Sequence, residues 1–154
     1  MEQQLKHALS EIVGLRCAQA QNPYGSTLIL DFGTMTLPQG ALPHEKARGW
    51  RRLTVYAPWR VESAHEVLFD WNVDGGAKGM LGSLAQALTG TEVVATSTAP
   101  PAWDLVVDFS SKVRLLVFGD FNDDRDAAWF ITGTDGMSIS ARPLARPLPR
   151  DDSA

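Results

Sequence analysis

Three stretches carry residues whose types and spacing could do chemistry. The first is DWNVDGG, Asp70 to Gly76, which puts Asp70, Asn72, Asp74 and Gly75 at positions one, three, five and six of a calcium loop. Oxygens at alternate positions around a glycine turn suit a hard cation, with a bidentate carboxylate at position twelve. That position holds Leu81, which has no ligating atom and falls on the apolar stripe of a helix. The stretch therefore reads as an Asp/Asn/Gly turn, and Asp70, Asn72 and Asp74 are only weak metal candidates. The second is DFNDDRD, with Asp120, Asn122, Asp124 and Asp126 at every second position and Arg125 where a calcium loop needs glycine. A solvated hairpin loop, a negative patch for a basic partner and a cation site all remain open there. The third is a pair, Asp31 and Asp108, each just before the Phe of an alternating strand. Two carboxylates that meet can share a proton and do acid–base work. Asp on the polar face of a strand, bonded to solvent or backbone, is the simpler reading.

The remaining reactive residues are scattered. His7, His44 and His65 show no ligand spacing, so a zinc site is not expected. Cys17 is the single cysteine, set in an alternating strand beside Leu15, and reads as a small buried hydrophobe. The Gly-rich Asp74–Ser83 lacks the spacing of a phosphate-binding loop and reads as a linker. No nucleophile-elbow or dinucleotide-binding pattern occurs, no catalytic residue is assigned and no cofactor is expected.

The elements that must hold these residues come in two similar sets. Leu5, Ala8, Leu9, Ile12 and Val13 recur at helical spacing, followed by Gly14; Leu81, Leu84, Ala85 and Leu88 do the same before Gly90. LILDF (Leu28–Phe32) matches LVVDF (Leu105–Phe109), and RLTVY (Arg52–Tyr56) matches RLLVF (Arg114–Phe118). WRVESAHEVLF (Trp59–Phe69) matches WFITGTDGMSI (Trp129–Ile139) without a gap, each long enough to split into a hairpin. The expected fold is α+β: two tandem helix-plus-antiparallel-meander repeats related by a pseudo-two-fold and sharing one core. Residues 1–141 form a single domain, with repeat units of about 2–74 and 75–141. Residues 142–154 form a Pro-rich tail. Trp59, Trp129, Phe32 and Phe109 should lie at the centre of the core. Two insertions break the symmetry, Thr34–Trp50 and Gly119–Ala128, and loops that differ between copies are where function is sought.

The bulk properties suit one globular domain. The chain has 154 residues, 44% hydrophobic and 21% charged, with a net charge of −4. An acidic balance argues against nucleic acid as partner. The N-terminal MEQQLKHALSEIVGL is too polar for a secretory signal, and no apolar run reaches membrane-spanning length. A cytoplasmic protein with no membrane partner is expected.

At LILDFG (Leu28–Gly33) and LTVYAPWR (Leu53–Arg60) the chain resembles small bacterial α+β proteins with a W-R strand motif. Asp104–Phe109 and Leu115–Phe118 continue the likeness. Some proteins of that type neutralise toxins, so the resemblance implies an immunity-like role and carries no catalytic residues. The leading expectation is a noncatalytic protein-binding module for a basic toxin domain. Asp120, Asp123, Asp124 and Asp126 would steer the partner, with Phe121 or Trp71 as anchor. Two alternatives are a small-molecule binder or weak enzyme with its site between the repeats, and a subunit that forms homodimers through a sheet edge.

Overall fold

The computed structural model describes residues 1–23, 27–37, 40–71, 78–119 and 127–142, without the side chains of 78–82. Helix α1 (Glu2–Ile12) buries Leu5, Ala8, Leu9 and Ile12, the stripe its spacing predicts. Val13, expected on that stripe, lies past the helix end and is exposed. Gly14 turns the chain there with φ of +87°, a conformation that side chains with a Cβ resist. Helix α2 (Lys78–Leu88) buries Leu84 and Leu88, and Gly90 repeats the φ of +87°.

Among the described residues, ten strands form two antiparallel five-stranded sheets. In chain order they are β1 (Cys17–Gln21), β2 (Leu28–Phe32), β3 (Arg51–Val55), β4 (Trp59–Glu62), β5 (Val67–Asp70), β6 (Val93–Ala99), β7 (Asp104–Phe109), β8 (Arg114–Val117), β9 (Trp129–Gly133) and β10 (Ser138–Ala141). The first sheet runs β1-β2-β3-β9-β10 and the second β5-β4-β8-β7-β6. Each sheet is thus finished by a hairpin from the other half of the chain. Both long Trp-led segments split as expected, one at Ser63–Glu66 and one at Gly133–Met137.

The central registers run in parallel. β3 meets β9 with Val55 opposite Trp129 and Leu53 opposite Ile131. β8 meets β4 with Val117 opposite Trp59 and Leu115 opposite Val61. Edge strands β1 and β6 each have one irregularity in the same place, between Cys17 and Gln19 and between Val93 and Ala95. Just before these bulges the edges touch: the Gly14 N–H donates to the Val93 carbonyl at 2.7 Å, and the Gly90 N–H to the Cys17 carbonyl at 2.8 Å.

Period-2 alternation turns one face of each sheet inward, and the inward residues join the helices in one core. Trp59, Trp129, Phe32 and Phe109 are its largest fully buried side chains, as expected. The Trp129 indole N–H donates to the Trp103 carbonyl at 2.8 Å, so this buried donor is satisfied. No described helix is long and apolar enough to cross a membrane.

Trp129 lies in β9 of the first sheet, is fully buried in the shared core, and donates to Trp103, just before β7 of the second sheet. Trp129→Ala should therefore cost about 3–5 kcal/mol. Urea denaturation reads this directly, and an unchanged midpoint would refute the placement.

Candidate functional site

Asp31 and Asp108 leave their sheets on the faces opposite the buried Leu and Phe residues. One belongs to the first sheet and the other to the second, and both faces point away from the shared core. They do not form the carboxylate pair that acid–base chemistry needs. Each is instead clasped by the arginine opposite it on the next strand. Asp31 takes Nε and Nη2 of Arg52 at 2.8 and 3.1 Å. Asp108 takes the same two nitrogens of Arg114 at 2.7 and 3.3 Å. Bidentate pairs of this kind fix geometry and use up lone pairs. Asp108 in turn favours the charged form of Arg114, raising its pKa.

The two pairs differ in cover. Asp31 is fully buried and bonded to backbone rather than to solvent, because the long loop after β2 folds back over it. The Gly49 N–H reaches Asp31 Oδ1 at 3.0 Å. A Cβ on Gly49 would stand 2.6 Å from the Phe32 backbone nitrogen, so only glycine allows this approach. Asp108 has no such cover, since the β7–β8 turn is short, and its side chain is 31% exposed. The first insertion, expected to carry function, thus serves to seal an ion pair.

A second charged cluster escaped sequence reasoning. Arg51 begins β3 at an inward-facing position, in register with Leu53 and Val55, and its side chain is only 3% exposed. Its guanidinium donates to both oxygens of Asp135 at 3.0 and 3.2 Å, to Glu11 Oε2 at 3.0 Å and to the Trp50 carbonyl at 3.2 Å. It also lies 3.7 Å from the centre of the Trp50 ring. Trp50 is half-buried and stacked against Arg51. Glu11, Arg51 and Asp135 come from α1, β3 and the β9–β10 turn, so no local motif could reveal them. The available signal was an arginine at core parity where the matching position, Val113, is apolar. Arg51 holds the Asp135 carboxyl below the ordinary carboxylate range, with the Met137 N–H adding to the effect.

The reactive-looking residues find structural roles or stay apart. Cys17 is fully buried, and burial pushes its thiol up to about 12, so it stays protonated. His7, His44 and His65 are exposed on separate elements. Among the described residues no three His, Cys, Asp or Glu side chains gather to hold a metal. Asp70 ends β5 opposite Arg60, while Asn72 and Asp74 lie outside the described residues, as do Asp120, Phe121, Asp123, Asp124 and Asp126.

Trp71 is the one expected contact residue that can be placed. Its N–H donates to the Trp59 carbonyl at 2.9 Å, which extends the β4–β5 ladder by one step. Trp71 is 41% exposed, and Val67 at the other end of edge strand β5 is also exposed. Trp71 thus combines a backbone anchored on β4 with a part-exposed residue surface.

Two measurements test these assignments. Because the Asp135 pKa is depressed, its stabilisation is full above the unfolded value near 3.8 and fades as pH falls below it. Asp135→Asn should destabilise the protein at neutral pH, with the deficit shrinking below pH 3.8. A deficit independent of pH would exclude the Arg51 pairing. Cys17 in the folded protein should resist a disulfide thiol reagent at pH 8 and react on unfolding; prompt reaction would show it to be accessible. A scan against family profiles, a search of curated proteins and a search of solved structures each returned no match to this chain.

Proposed function

We propose that the chain is an internally duplicated, noncatalytic protein-binding module that acts as an immunity protein, covering a basic toxin domain in the cytoplasm. Duplication is supported by the paired registers. Shifting the chain by 76 residues superposes Gly14 on Gly90 and Cys17 on Val93, and the bonds these residues make across the edges are reciprocal. A pseudo-two-fold through that contact would relate the two sheets.

The observation that carries the binding role is Trp71. A part-exposed Trp on an anchored backbone loses little freedom when a partner covers it, and Trp is the residue most enriched among binding hot spots. The acidic run from Asp120 to Asp126 would add long-range attraction for a basic partner, speeding encounter more than it tightens the complex. The resemblance to toxin-neutralising proteins points the same way. The carboxylates that might have done chemistry are committed to arginines instead.

The test is co-expression with the protein encoded immediately upstream. The wild type should restore growth to cells making a toxic domain and should capture that domain in solution. Trp71→Ala should weaken capture about tenfold or more while leaving the urea midpoint close to the wild type's. No protection, or equal capture by both proteins, would defeat the proposal.

A further inference from the structure

The chain covers the Asp31–Arg52 clasp with its own loop and leaves the matching Asp108–Arg114 clasp open. Over the first clasp lies Gly49, whose N–H shares Asp31 Oδ1 with Arg52 Nε. Trp50 follows, and its carbonyl accepts the Thr134 N–H at 3.3 Å. Over the second clasp the matching space is a cleft of about 530 Å³, lined by Glu62, Ser63, Val94, Phe109, Lys112 and Val113 beside the Asp108–Arg114 pair. Asp108 Oδ1 accepts Arg114 Nε just as Asp31 Oδ1 accepts Arg52 Nε, yet no backbone N–H fills the remaining lone pair among the described residues.

We infer that this cleft is the docking site for a loop of a protein partner that carries a glycine and a carboxylate. The inference rests on the protein-binding reading and names the chemistry of what binds. The glycine follows from the first clasp, where a donor reaches the carboxylate only by passing against the strand backbone with no Cβ. The equivalent approach to Asp108 passes over Phe109, which pairs with Val93 as Phe32 pairs with Cys17. The carboxylate follows from charge. Glu62 is held by Arg60 at 2.9 Å and Asp108 by Arg114. Lys112 has no ion-pair partner among the described residues and sits in the tight turn with φ of +64°. The cleft thus presents one uncompensated cation beside an acceptor that wants an N–H. Val94, exposed at 54%, supplies apolar area for the rest of the loop.

The cleft lies at the Glu62 end of β4, whereas Trp71 lies at the Trp59 end, so the two surfaces can be tested apart. The probe is a display library of cyclic peptides with six random positions, selected against the full chain. Selected loops should contain glycine with Asp or Glu. Lys112→Glu and Val94→Arg, both at the surface, should each weaken their binding at least tenfold, and added salt should weaken it further. Changing the glycine to alanine in a selected peptide should do the same. Binding that survives both protein substitutions, or loops enriched in neither glycine nor acid, would overturn the inference. Sedimentation of the protein alone covers another occupant: self-association abolished by Val94→Arg would put a second copy in the cleft, and would equally overturn it. Failure here would leave toxin capture through Trp71 standing, and loss of that capture would leave peptide binding to be judged on its own.

Discussion

The pairing of β3 with β9, and of β8 with β4, is the constraint on which the rest depends. Each is the joint where one half of the chain enters the other half's sheet. The two tryptophans that lead the crossing hairpins sit opposite valines in these joints and fill the core. Because both sheets share that core, a change at either joint reaches both. The helices follow from it, since they close over strand edges that the exchanged hairpins do not cover.

Buried charge is handled in a consistent way. Arg51 and Asp31 are almost wholly removed from water, a costly state for an unpaired ion. Each is held by several partners from distant segments, and each takes a backbone group as well as an ion. Such clasps add less to stability than their number suggests, because desolvation opposes the attraction. They do discriminate sharply among arrangements. A loop shifted by one residue would leave Asp31 or Arg51 buried without its partners. The long loop after β2 and the turn after β9 are thereby pinned in register.

Much of this was legible in the sequence because period-2 alternation and helical spacing are local signals. The strands LILDF and LVVDF, the split of both Trp-led segments and the four central aromatics all follow from such patterns. The exchange of hairpins between sheets was not legible, since alternation tells which face of a strand is apolar but not which strand lies beside it. The depth of Asp31 was hidden for a related reason: it depends on a loop folding back from Gly49. Val13 shows the limit of periodicity itself, for the stripe continues one residue past the point where Gly14 breaks the helix. Arg51 could have been suspected from its parity alone, although its two carboxylates come from opposite ends of the chain.

The exchanged hairpins also set an order on the birth of the molecule. As the chain leaves the ribosome, β3 and β4 emerge long before β9 and β8 can pair with them. Until then the first half presents open, apolar strand edges of the kind that aggregate when they meet their like. Neither sheet can be completed until synthesis has entered the last third of the chain. The interval between those two moments is when this protein is most exposed to misassembly, and a faster passage through it would shorten that risk without altering a single contact of the finished fold.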